Sequence, residues 1–412
     1  MGRTQSNRSC IGVPGCGASV AMTMAILLMV IATPVAAQTY HVIYNFSGCG
    51  DGCYPSSTIL MDGAGSLYGA TEFGGSACGT QGKGVVFRLK RAGNGWVETP
   101  IHIFTGGPND GEGPIMNDGL TVGPDGGFYG TTGFGGQLGD GTVFRVRPPA
   151  RACTTALCPW VEEVLYSFGG PNDGFEPTAK VAFDAAGNIY GTTAFGGSNS
   201  GTVFQLRRTG SGWTESIIGD FGGILFAGVT LDADGNVYGV DYEGGPGLGE
   251  VFQLTPSGSG WAMHSIHAFQ GSDGQLPAGG LIFDAAGNLY GSTQASRNGG
   301  GTVFQLSPAG GGWTLRTLYQ LERAFGPDSA LTMDAQGNLY GTLPQSGAGL
   351  GSVFKLARDG DNWTYVDLHD FAGGNEGQAP LGGVTLGSDG NLYGTTSAGG
   401  ANGAGVVWQI TP

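Results

Sequence analysis

The sequence predicts an all-β fold, a seven-bladed β-propeller of four-stranded antiparallel blades, and three observations predict it. The pair Tyr-Gly recurs at Tyr68, Tyr129, Tyr190, Tyr238, Tyr290, Tyr340 and Tyr393. An aromatic preceded by Val follows each one: Phe87, Phe144, Phe204, Phe252, Phe304, Phe354 and Trp408. The first six are followed by Trp96, Trp160, Trp213, Trp261, Trp313 and Trp363, and eight residues beyond each Trp stands Phe104, Phe168, Phe221, Phe269, Leu321 or Phe371. A repeat of about 50 residues carrying four short strands is the signature of radial closure, which hides the sheet edges.

Each unit reads as four strands in order. The first alternates, as in Val181–Phe183 or Leu281–Phe283. It ends in a turn such as Asp184-Ala-Ala-Gly187-Asn188, where Gly supplies a positive φ. The second is Ile189–Thr193; a Gly-rich loop leads to the third, Thr202–Leu206, and the fourth runs from Trp213 to Phe221. If Gly191 lies opposite Phe204, Thr193 lies opposite Thr202, and the ring covers the bare glycine backbone. The units occupy 47–104, 105–168, 169–221, 222–269, 270–321 and 322–371, and a seventh, 372–412, stops after its third strand at Trp408–Ile410. Residues 38–46 supply the missing strand, because Gln38 to Phe46 has the same span as Trp363 to Phe371. An open solenoid would instead need polar caps, and none is visible.

Composition agrees. Of 412 residues, 84 are Gly and 20 Pro, which without periodicity would signal disorder. The 21 Phe, 14 Tyr and 7 Trp are too many large apolar anchors for that. Charged residues are only 12%, which excludes coiled coils, and 17 Lys+Arg against 32 Asp+Glu leaves no basic surface for nucleic acid or an anionic membrane. Residues 1–37 read as a secretory signal: Arg3 and Arg8, an apolar stretch from Ala18 to Ala32, then Val35-Ala36-Ala37. Cleavage near Ala37 would release a secreted or periplasmic monomer without a membrane span, two units more negative than the formal −15.

The string Asn-Leu-Tyr-Gly-Thr-Thr, then Gly-Gly, then Gly-Thr-Val-Phe, resembles the secreted bacterial tandem-repeat proteins called GloVer-containing or choice-of-anchor proteins. The resemblance spans 38–412 and implies a repeat scaffold without a catalytic motif. The Gly-Gly after strand two and the Trp opening strand four are also similar to kelch propellers.

Candidate sites follow from the loops. Strand-two-to-three loops and blade connections share one face, here the upper one. Cys49, Cys53 and Cys78 fall there, and Cys153 and Cys158 in a lower-face insertion. Cys153–Cys158 and one upper pair, with Cys53–Cys78 as the candidate, are the expected disulfides, read as loop staples. His102, His267 and His369 share the place two before the strand-four aromatic with Tyr44, Tyr166 and Tyr319, a planar packing position. The blade connections carry Asp51, Asp110, Asp173, Asp273 and Glu376, which either ring the channel mouth and attract cations or simply make turns. Blade 4 breaks the pattern: where other blades place Thr opposite Thr it has Asp241 and Glu250, with Glu243 nearby and a shorter preceding loop. Like charges there imply a shared proton, a bound cation such as calcium, or splaying into solvent.

No nucleophile elbow, zinc-protease box or phosphate loop is present. The leading expectation is a non-enzymatic scaffold binding a protein or glycan. The alternatives are a hydrolase or lyase on polysaccharide or lactone, acting through the blade-4 carboxylates, and a structural surface-layer component. No cofactor beyond calcium is implied.

Overall fold

Each Tyr-Gly pair closes its own hairpin. In blade 3, Ala182–Phe183 turns at Asp184 into Ile189–Thr193. The Asp184 carboxylate accepts the amides of Ala186 and Asn188 at 2.9 Å and the Tyr190 hydroxyl at 3.0 Å. An Asp folded back onto the following amides is an Asx turn, and Gly187 takes the φ of 82° that it requires. The same Tyr-to-Asp bond recurs from Tyr68, Tyr238, Tyr290, Tyr340 and Tyr393. Burial opposes ionisation of Asp184, but the bonds from Asn188 and Tyr190 outweigh it and hold the carboxyl below its ordinary pKa.

The computed structural model describes residues 38–412 apart from 115–117, 149–159, 171, 199, 211, 323–324 and 347–348. Residues 1–37, read above as a secretory signal, and the expected Cys153–Cys158 disulfide lie outside the described residues. Seven four-stranded antiparallel sheets follow in chain order, each running from inner to outer strand. Blade 1 runs from Leu60–Met61 to Gly95–Ile103, blade 2 from Thr121–Val122 to Val161–Ser167, and blade 3 from Ala182–Phe183 to Gly212–Phe221. Blade 4 runs from Thr230–Leu231 to Gly260–Ala268, blade 5 from Ile282–Phe283 to Gly312–Gln320, and blade 6 from Thr332–Met333 to Asn362–Asp370. Blade 7 takes Thr385–Leu386, Leu392–Thr396 and Val406–Thr411 from the end of the chain, and its outer strand is Thr39–Asn45. The clasp is therefore present, with Tyr40 opposite Ile410 and Val42 opposite Trp408.

Between third and fourth strands every blade slips register once. The extra residue is always aliphatic: Ile43, Ile101, Leu165, Ile218, Ile266, Leu318 or Leu368. A bulge sharpens local twist and re-aims the next side chain, and here it sets the direction of the planar residue that follows.

Blades are stitched together by aromatics. In five blades the Trp opening the outer strand packs on the Tyr of the preceding blade, as Trp261 on Tyr190 and Trp313 on Tyr238; Trp96 on Tyr393 carries the pattern across the seam. Gly191 does lie opposite Phe204, and a Cβ there would stand 2.4 Å from the ring. At the axis, Asp118 of blade 2 is 6% exposed and reaches across to accept the Ala330 amide of blade 6 at 2.7 Å.

One disulfide differs from expectation. Cys49 bonds Cys78, and Cys53 is a buried free thiol. The reason is local: Cys53 exchanges backbone hydrogen bonds with Phe73, which turns its side chain into the core formed with Phe46, Ile59 and Ala404.

Candidate functional site

The acids of the blade connections lie against the outer strands, where each folds back onto a nearby backbone amide as a turn-forming residue does. Asp51 accepts the Tyr44 hydroxyl and the Ser47 amide, both at 2.8 Å. Asp110 accepts His102 Nε2 at 3.1 Å and the Thr105 amide at 2.8 Å. Asp173 accepts the Tyr166 hydroxyl and the Gly169 amide at 3.0 Å, and Asp273 accepts His267 Nε2 and the Gln270 amide at 2.8 Å. Glu376 accepts the Ala372 amide at 3.3 Å and stands 3.7 Å from His369 Nε2. After blades 7, 1, 2 and 4 the planar residue and the acid are thus one latch, tying the connection to the strand it leaves. Where the planar residue is Gly219, the connection Gly222-Gly223 carries no acid. The Gly after each acid is needed for close approach: a Cβ on Gly174 would stand 2.3 Å from Thr193 Oγ1.

Asp241 and Glu250 do face each other across blade 4 and are only 1% and 7% exposed. In blades 2, 3 and 5 the same places hold Thr pairs whose hydroxyls bond at 2.7 to 2.8 Å. The Asp241 carboxylate accepts the amides of Gly223 at 3.3 Å and Glu243 at 3.2 Å, and Glu250 accepts the Ser265 hydroxyl at 2.5 Å. Burial pushes Asp241 up to about 6, with the Glu250 charge adding to it and the amides opposing. Glu243 lends its amide while its side chain is exposed. The three carboxylates do not converge. Among the described residues, the one trio of His, Cys, Asp or Glu whose ligand atoms all lie within 4.8 Å of one another is His102, Asp110 and Glu162.

Between adjacent outer strands runs a groove where the planar residue of one blade meets a strand-four side chain of the next. At blades 1, 2 and 3 that side chain is Glu98, Glu162 or Glu215, each with a buried, unpartnered Oε1. Burial raises these carboxyls to about 8, 7 and 7. At blade 6 the chemistry changes. Tyr319 and Tyr365 stack with ring centres 5.2 Å apart, and a cleft of about 540 Å³ opens beside them. Its other walls include Glu322, Phe325, Gln345, Asp367 and Asp370. Phe325 is 55% exposed. Burial, then the Asp370 charge, raises the Asp367 carboxyl above its ordinary pKa. No catalytic or binding motif in the sequence marks this cleft. Its signal was the loss of two repeat residues, Leu321 for the terminal Phe and Leu343 for the strand-two Thr.

No curated protein matches the chain. Among solved structures, the extracellular domain of a protein assigned to a hybrid two-component system of B. thetaiotaomicron is 12% identical, with a TM-score of 0.53 over 90% of this chain and 39% of that one. A protein of Bacteroides uniformis, provisionally named a 6-phosphogluconolactonase, is 14% identical (TM-score 0.48, 76% of this chain and 84% of that one). A gluconolactonase of Xanthomonas campestris is 13% identical (TM-score 0.37, 61% and 75%). At such identities the likeness is one of fold. Residues 29–214, 159–295 and 226–412 each match the Gloeobacter/Verrucomicrobia repeat, and with nearly the whole chain so covered, the protein belongs to that family.

Proposed function

We propose that the protein is an extracellular scaffold that binds a glycan in the upper-face cleft between blades 5 and 6. The observation that carries this reading is the Tyr319–Tyr365 stack walling an open cleft beside the exposed Phe325. Apolar faces of sugar rings pack on aromatic rings, and carboxylates such as Asp367 and Asp370 accept hydroxyl hydrogen bonds and fix orientation. A formal charge of −15 favours neutral or amino sugars over sulfated or uronic ones. The Cys49–Cys78 disulfide and the leader at 1–37 support secretion or a periplasmic location, and no described helix is long and apolar enough to cross a membrane. The hydrolase alternative finds less support, because Asp241 and Glu250 are buried, with little surface open to a substrate.

A glycan array followed by calorimetry tests the reading. A neutral or amino-sugar glycan is expected to bind, and Phe325→Ala and Asp370→Asn to weaken it by about tenfold or more at unchanged melting temperature. Absence of any glycan ligand, or variants that bind like the native protein, would refute it.

A further inference from the structure

We propose that His102, Asp110 and Glu162 bind a divalent transition-metal ion of the zinc type in the groove between blades 1 and 2. His102 lies on the outer strand of blade 1, Asp110 on the connection, and Glu162 on the outer strand of blade 2. Their ligand atoms lie within 4.8 Å of one another, and His102 Nε2 is 3.1 Å from Asp110 Oδ1. Ligands about 2.0 to 2.2 Å from a tetrahedral zinc stand roughly 3.3 to 3.5 Å apart, so a small closing movement of the Glu162 side chain completes the set.

The surroundings are prepared for a cation. The second oxygen of Asp110 is held by the Thr105 amide at 2.8 Å and hydroxyl at 2.7 Å, an outer shell that fixes the carboxylate in place. Glu162 keeps a buried oxygen that has no hydrogen-bond partner. Glu162 also lines a cleft of about 470 Å³ with Pro108, Asn109, Gln137 and Tyr166, which gives a route in and room for a water as fourth ligand. One imidazole and two carboxylates match a dication in charge, and the nitrogen ligand selects zinc-like ions over calcium or magnesium, which prefer six or more oxygens.

The fold supplies its own controls. The flanking grooves repeat the arrangement as Tyr44, Asp51 and Glu98 and as Tyr166, Asp173 and Glu215. They carry the same orphaned Glu oxygen, so the imidazole is what distinguishes the middle groove. His267 with Asp273 has no third ligand, because its groove holds Leu315 where the others hold Glu.

Calorimetry of the EDTA-treated mature protein with zinc chloride, and cobalt(II) absorption as a second readout, test this. One zinc per chain is expected, with a cobalt spectrum of nitrogen and oxygen ligation. His102→Gln, which keeps a donor for Asp110, and Glu162→Gln are expected to weaken zinc by about a hundredfold without lowering the melting temperature. Tyr166→His is expected to raise the stoichiometry to two. No zinc binding, binding indifferent to His102→Gln, or failure of Tyr166→His to add a second ion would overturn the assignment.

Discussion

Among the described residues, four non-glycine residues have positive φ, and all occupy one place in the repeat: Tyr54, Glu176, Leu276 and Ala379, at φ 55 to 59°. Each donates its amide to the preceding blade and accepts one from its own, as Ala379 N to Leu350 O and Ser397 N to Ala379 O. The left-handed conformation costs an L-residue about 1–2 kcal/mol, so Ala379→Gly should stabilise by about 0.5–1 kcal/mol net of chain entropy. Gly191→Ala should cost about 1–3 kcal/mol by driving Phe204 off its rotamer; denaturant melts measure both. The buried carboxyls of Glu98 and Glu215 bind protons more tightly folded than unfolded. Their penalty is absent below the unfolded value of 4.5, grows with pH and is complete above the folded values of about 8 and 7. Melting temperature should therefore be higher near pH 5 than near pH 8.5, with Glu98→Gln and Glu215→Gln raising it mainly at the higher pH. A profile unchanged by those variants would contradict the assignment.

At the scale of the strand and its connection, the latch unites two features that the sequence presents separately. His102 and Asp110 are visible as a packing residue and a turn acid; their bond is not, because the bulge at Ile101 shifts register by one and re-aims the histidine. Alternation rules alone place that side chain on the wrong face. Asp173→Ala should cost about 1–3 kcal/mol, since the Tyr166 hydroxyl and the Gly169 amide both lose their acceptor. The choice between Cys49 and Cys53 was equally illegible, two cysteines on one short loop being told apart only by the Cys53–Phe73 bridge. Cys78→Ser should lower stability by about 3 kcal/mol, given the 29-residue loop that the bond closes.

At the scale of the whole ring, the architecture was legible because every blade repeats Tyr-Gly and Val-aromatic and six add the Trp, and because the seventh unit lacked a strand that residues 38–46 could supply. The sites were less so. Asp241 and Glu250 stood out as breaks in a Thr pair, but a repeat pattern does not carry their burial, and both are nearly inaccessible. The cleft at Tyr319 and Tyr365 and the axial Asp118 arise from side chains meeting between blades, where a repeat alignment has no column. Much rests on closure, since the groove at Glu98 is walled by Tyr44 of the strand that completes the last blade. Hydrogen–deuterium exchange of the folded protein tests this directly. Amides of 40–45 should be protected as strongly as those of 213–221 in blade 3, whereas rapid exchange across 40–45 in the folded protein would contradict the clasp.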